Sequence, residues 1–157
     1  MSIYKTVFKN VGGRDGISRD NEGKIEFEVV NVLDGKIQPE NTTNPEHLFA
    51  AAIASCYGGA FLWHMEQENK KSEVTTQVEL MVESDPDDGE NRIHAVISVD
   101  APDLSDEDKK LFLERARKTS PYTKIFEGKA VLEINQDSPQ SESADAIDSP
   151  DLVGGSI

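Results

Sequence analysis

The sequence predicts an α+β protein rather than a doubly wound parallel sheet, and three observations carry that expectation. Short segments of alternating polarity are joined by Asp/Gly-rich turns suited to antiparallel hairpins. One long apolar run suits a central helix, and a second helix with a clear start signal follows the later strands. The order along the chain reads β-β-β-α-β-β-α-β.

Residues 3–8 and 24–33 are the first two expected strands. The second alternates Ile25, Phe27 and Val29 against Glu26 and Glu28 before turning more continuously apolar. Between them, Gly12-Gly13-Arg14-Asp15-Gly16 reads as a tight loop. Asp34-Gly35 is a two-residue hairpin signal leading into a third strand at 36–38. Asn44 then offers an N-cap, Pro45 suits the first helical position, and Glu46 lies at the positive end of the helix dipole. The run LFAAAIASCYGGAFLWHM is apolar on nearly every face, which predicts a central, buried helix. Gly58-Gly59 is a place for close packing or a kink.

Residues 73–83 alternate through Val74, Thr76, Val78, Leu80 and Val82, a strong strand pattern. Asp85-Pro86-Asp87-Asp88-Gly89 turns the chain, and 92–99 return as the hairpin partner. Ser105-Asp106-Glu107-Asp108 opens a second helix reaching about Lys118. Ser120-Pro121 repeats the cap-and-proline pattern for a short helix closed by Gly128, with Ser120 expected as its side-chain cap. A last strand is expected at 129–135. Beyond it, DSPQSESADAIDSPDLVGGSI has no aromatic and little to bury, and reads as a disordered acidic tail. The folded domain is therefore expected over 1–135 and the tail over 136–157.

The chain has 157 residues, an ordinary single-domain length, with 16 Lys+Arg against 30 Asp+Glu and a net charge of −14. That balance argues against nucleic acid, which needs a basic patch, and against anionic membranes. No run reads as the ~18–20 uncharged residues that span a bilayer. The start Met1-Ser2-Ile3-Tyr4-Lys5 lacks the apolar stretch of a secretory signal, so a soluble cytoplasmic protein is expected. A single cysteine excludes an intrachain disulfide framework and a thiolate metal cluster. His47, His64 and His94 have no ligand spacing with one another or with Cys56, and no Gly-x-Ser-x-Gly elbow is present. No metal site is expected.

Three places remain for chemistry. Cys56 alone reads as a small core residue unless a cation or solvent makes its thiol reactive. Arg14, set between glycines, is a fork of donors that can be aimed at an oxygen or a thiolate. Glu46 is an ordinary dipole choice, or a carboxylate that orients an arginine. Glu46 and Cys56 are ten positions apart, about 15 Å along a straight helix. If both act in one site, either the helix bends sharply or Glu46 serves the Cys56 of a second chain.

Taken together, Gly12-Gly13-Arg14-Asp15-Gly16, Asn44-Pro45-Glu46-His47-Leu48-Phe49-Ala50-Ala51, Ala54-Ser55-Cys56 and Pro121-Tyr122 resemble the organic hydroperoxide resistance (Ohr) proteins of the OsmC superfamily, over roughly residues 3–135. The resemblance implies an OsmC-like, intertwined α+β homodimer with its sites between subunits. It implies a thiol-dependent peroxidase that prefers organic, fatty-acid-type hydroperoxides. On that basis Cys56 falls on the peroxidatic cysteine, Arg14 on the arginine that activates thiolate and peroxide, and Glu46 on the glutamate that positions this arginine. Phe49, Phe61, Tyr122 and Phe126 become pocket candidates for an alkyl chain, or are plain core residues. No resident cofactor is implied; the reductant is an external thiol, dihydrolipoyl in type.

One position departs from the family. Its second, resolving cysteine precedes the Pro-Tyr pair, where this chain has Ser120. A hydroxyl closes no disulfide. Three readings stay open: a one-cysteine peroxidase resolved by an external thiol, an introduced serine that halts the cycle at the sulfenic acid, or a non-catalytic peroxide sensor or apolar-ligand-binding protein on the same fold.

Overall fold

The computed structural model describes residues 3–134. Its order is β1 (Phe8–Val11), a 3-10 turn (Gly13–Asp15), β2 (Ile17–Asp20), β3 (Glu26–Glu28), α1 (Pro45–Gln67), β4 (Thr75–Ser84), β5 (Asn91–Asp100), α2 (Asp106–Thr119) and α3 (Pro121–Phe126). The α+β class holds, with β1-β2-β3 forming one antiparallel sheet and β4-β5 another.

The first sheet differs in detail from the expectation. Three strands do precede α1, but they are shorter and elsewhere. β1 begins where residues 3–8 were expected to end, and β3 covers only the middle of 24–33. Ile17–Asp20 is a strand that its sequence conceals: Ile-Ser-Arg-Asp has one apolar residue and no readable period. It forms because the glycine loop turns the chain back, pairing Val11 with Ile17 and Phe8 with Asp20. The turn at Asp34-Gly35 exists, with Gly35 at φ +80°, yet residues 36–38 are not a strand. Backbone bonds instead join Val30 and Glu28 to Thr43, so the chain comes back alongside β3 in parallel rather than as a hairpin.

The long hairpin fits its pattern within two residues at each end, with β4 and β5 paired from Thr75–Asp100 to Ser84–Asn91. Thr76, Val78, Leu80 and Val82 alternate along β4, and such largely β-branched side chains favour a pleated, half-buried surface. α1 starts where expected: the Asn44 side chain accepts from the His47 N–H at 2.7 Å, and Pro45 opens the first turn. The helix runs through Gly58-Gly59 without interruption. Gly58 serves close packing, since a β-carbon there would stand 2.7 Å from Thr76 Oγ1 on β4.

α1 is also long and apolar enough, by length and composition, to cross a membrane. The expectation that no run qualifies is therefore wrong, because residues 47–65 carry no Asp, Glu, Lys or Arg. In this fold one stripe of α1 (Ile53, Tyr57, Phe61, His64, Met65) is buried, and Tyr57, Phe61 and Met65 cluster with Ala101, Leu104, Phe112 and Ala116. Phe61 meets Phe112 edge-on at 5.8 Å. Burying such a ring is worth about 1.5–3 kcal/mol. The opposite stripe, with Ala51, Ser55, Gly59, Leu62 and Trp63, stays exposed in the single chain, so the helix is half-covered rather than buried on every face.

α2 starts at Ser105, whose hydroxyl accepts from the Asp108 N–H at 3.2 Å. Ser120 is different. It sits at the cap position of α3, but its side chain makes no capping bond. No strand forms over 129–134, where Val131, Leu132 and Ile134 are exposed and pair with neither sheet. Residue 135 and the expected tail lie outside the described residues.

Candidate active site

The glycine loop sets Arg14. Gly12 and Gly13 adopt φ +93° and +65°, a left-handed backbone that costs glycine least. Asn10 locks it: its Oδ1 accepts from the Gly13 N–H at 2.8 Å, while its Nδ2 donates to the Gly13 carbonyl and to Ser18 Oγ. Asp15 anchors the far side, accepting from the Asn31 N–H at 2.9 Å and pairing with Lys36. The Asn31 amide and the Lys36 ammonium both hold the Asp15 carboxyl below its ordinary range.

Arg14 leaves this loop towards the start of α1. It grips Glu46 with both arms of its guanidinium, Nη2 to Oε1 at 2.5 Å and Nη1 to Oε2 at 3.1 Å. A forked pair of this kind is among the stronger charge-assisted bonds. The Arg14 hydrogen bonds draw the Glu46 carboxyl below its usual value against the opposing effect of burial, and Arg14 is held correspondingly more basic. The Glu46 side chain is only 13% exposed and Arg14 is 41% exposed, so the cation keeps an open side.

Cys56 lies elsewhere. It is half-buried, further along α1, and its sulfur accepts from the Ser120 hydroxyl at 3.5 Å. With α1 unbroken, about 15 Å of helix separates the levels of Glu46 and Cys56. α1 does not bend, and within one chain Arg14 meets Glu46 while Ser120 meets Cys56 at a separate place on the helix. Between them on the same helix, Phe49 meets Tyr122 at 6.5 Å and stacks on Phe126 at 6.1 Å. Of the two roles open to Phe61, the structure gives it the core one, wholly buried against Phe112.

The histidines are scattered. His47 is exposed, His64 is buried with its Nε2 3.1 Å from Thr119 Oγ1, and His94 faces Glu83 at 3.5 Å. Among the described residues no three His, Cys, Asp or Glu side chains converge as a metal site. A cavity of about 390 Å³ opens over Trp63, His64, Gln67, Arg115, Lys118 and Thr119, and none of the predicted site residues lines it. Asn10, which fixes the loop of Arg14, is signalled in the sequence only as an Asx residue three before a glycine.

Residues 38–135 match the family of OsmC-like proteins. The chain is 34% identical over 138 residues to an organic hydroperoxide resistance protein-like 2 of Staphylococcus epidermidis, covering 85% of this chain and 95% of that one. It is 32% identical over 137 residues to the organic hydroperoxide resistance protein OhrB of Bacillus subtilis, covering 85% and 98%. The crystal structure of the Bacillus subtilis OhrB superposes with a TM-score of 0.70 at 27% identity, over 81% of this chain and 93% of that one. A Legionella pneumophila organic hydroperoxide resistance protein superposes at 0.72 and 22% identity, over 82% and 93%, and bears on the fold alone.

Proposed function

The chain belongs to the OsmC/Ohr family, and from that membership we propose that it is a thiol-dependent peroxidase reducing organic hydroperoxides to alcohols at Cys56. The observation that carries this reading is the Arg14–Glu46 fork: a cation fixed by a glycine loop, oriented by a carboxylate and open on one side. In the proposed step the Cys56 thiolate attacks the terminal peroxide oxygen. The O–O bond breaks, two electrons pass from sulfur to oxygen, and the leaving alkoxide takes a proton to become the alcohol. Cys56 is left as a sulfenic acid. Arg14 would favour the thiolate and the charge developing on the oxygens. Phe49, Tyr122 and Phe126 would receive an alkyl group.

The unbroken α1 supports a site built from Arg14 and Glu46 of one subunit and Cys56 of another. The exposed small and apolar stripe of α1 supports a homodimer, as do the exposed apolar residues Val11, Ile37, Val131, Leu132 and Ile134. With Ser120 at the second position, the electrons come from an external thiol acting directly on the sulfenic acid; a dihydrolipoyl thiol is of the right class. The setting we propose is cytoplasmic, where such thiols stay reduced.

The test is the mass of the intact protein after one equivalent of cumene hydroperoxide or hydrogen peroxide, with a sulfenic-acid trap and Cys56→Ser as control. A rapid adduct at Cys56, faster with the organic peroxide, is the expected result. No adduct, where free thiols react, would leave Cys56 a structural residue. Ser120 favours a second reading, a peroxide sensor that stops after one equivalent. Turnover of many equivalents with an added thiol argues for the enzyme, and arrest at one for the sensor.

A further inference from the structure

Ser120 has one side-chain hydrogen to give, and several features fix where it goes. Its backbone is held at both ends: the N–H donates to the Ala116 carbonyl at 2.8 Å, and the carbonyl accepts from Thr123 Oγ1 at 2.8 Å. Thr123 is itself buried and also donates to the Arg117 carbonyl at 2.7 Å. These bonds tie the junction of α2 and α3 into one rigid corner. Next to it, Thr119 reaches His64 on α1, so the corner meets α1 at two levels.

The Ser120 residue is 1% exposed, which leaves its hydroxyl no open route to bulk water. A serine at a helix start ordinarily turns its oxygen to the free N–H groups of the first turn. This one does not, and its hydroxyl is directed at the Cys56 sulfur at 3.5 Å. A buried hydroxyl seeks a partner because leaving it unpaired is costly, and here the partner is sulfur.

We propose that Ser120 is a catalytic hydroxyl of this site: its O–H donates to the Cys56 sulfur and favours the anion that attacks peroxide. The inference rests on the peroxidase reading and adds a residue to it. A hydrogen bond to a charged acceptor is roughly twice as strong as one to a neutral acceptor, so the bond selects thiolate over thiol. After attack the same hydroxyl lies beside the sulfenic acid and forms no bond to its sulfur. Resolution then falls to a small external thiol. Its sulfur attacks Cys56 and expels the sulfenic oxygen as water, giving a mixed disulfide. A second thiol attacks that bond, releases the small disulfide and returns Cys56 reduced. Two thiols supply the two electrons taken by the peroxide.

The experiment compares the full chain with its Ser120→Ala variant by the rate of Cys56 alkylation with iodoacetamide at about pH 7 and about pH 9.5, on either side of the ordinary thiol range. The rate at the lower pH divided by the rate at the higher pH reports the thiolate population, while a change of access alone moves both rates together. Ser120→Ala is expected to lower the ratio threefold to tenfold and to slow oxidation by cumene hydroperoxide by a similar factor. An unchanged ratio overturns the proposal, whatever the peroxide does. If the ratio falls but the unsubstituted chain is inert to peroxide, the catalytic role and the peroxidase reading both fall, and only the hydrogen bond stands. Should Ser120→Ala not fold, the reduced Ser120→Cys chain, alkylated and read by peptide mass at Cys56, serves the same comparison. Its weaker S–H donor is expected to lower the ratio, and an unchanged value overturns the proposal equally.

Discussion

Gly16 has no room for a side chain because the carbonyl of Val11 occupies that space: a β-carbon on Gly16 would stand 2.0 Å from the Val11 oxygen. Val11 ends β1 and Gly16 precedes β2, so this contact closes the loop that carries Arg14. Gly16→Ala is expected to force the loop open at a cost of about 1–3 kcal/mol. Thermal unfolding measures that loss, and a midpoint within error of the unsubstituted chain would show that the loop absorbs a methyl group.

Arg14→Ala is expected to slow Cys56 oxidation by cumene hydroperoxide by about 10²–10³-fold, the range for removing one donor from developing oxyanion charge. Arg14→Lys keeps the charge but not the fork, and should recover only part of the rate. Stopped-flow oxidation followed by trapping measures both. An unchanged rate in Arg14→Ala removes Arg14 from the mechanism.

The Glu46 carboxyl is held below its ordinary value of 4.5 chiefly by the Arg14 hydrogen bonds. A depressed folded value means that the pair's contribution to stability is fully present above the unfolded value. It is then lost as pH falls through the lower folded one. Carboxyl carbon NMR should find Glu46 titrating below the ordinary glutamate range, and moving upward in Arg14→Ala. A Glu46 that titrates at its ordinary value in the intact chain contradicts the fork.

Mixing Arg14→Ala chains with Cys56→Ser chains tests whether the site is shared. In a dimer with sites between subunits, the mixed species regains one complete site. Random exchange at equal amounts should then give about a quarter of the full peroxidase activity. No recovery after verified exchange would place Arg14 and Cys56 of one chain in the same site.

Ser120→Cys is expected to form a disulfide with Cys56 on oxidation by one equivalent of peroxide, read as a mass loss of two hydrogens and restored by reductant. The present 3.5 Å contact has only to shorten to a bond of about 2.05 Å. Failure to form it would argue against the geometry at the α2–α3 corner.

What is legible in the sequence follows from how local each determinant is. Asn44-Pro45 announces α1, and the alternation of Val74 to Val82 announces β4, because cap chemistry and side-chain period are written in adjacent residues. β2 is invisible for the opposite reason: Ile17–Asp20 becomes a strand through its neighbours on both sides. The same holds within the site. Arg14, Glu46 and Cys56 stand out through their motifs. That Arg14 meets Glu46 of its own chain, that Phe61 belongs to the core, and that the Ser120 hydroxyl turns away from its helix cap depend on contacts between residues far apart in sequence.

The corset of hydrogen bonds around Gly13, together with the carboxylate of Glu46, has an entropic meaning. A free arginine side chain samples many rotamers, and ordering one at the moment of encounter weakens binding by about 0.5–1.5 kcal/mol. Here the ordering occurs as the chain folds, when Asn10 closes the loop and Glu46 takes both arms of the guanidinium. In the role proposed for Arg14, an incoming oxyanion would meet a cation already still, its order set in advance by a five-residue loop rather than assembled by the guest.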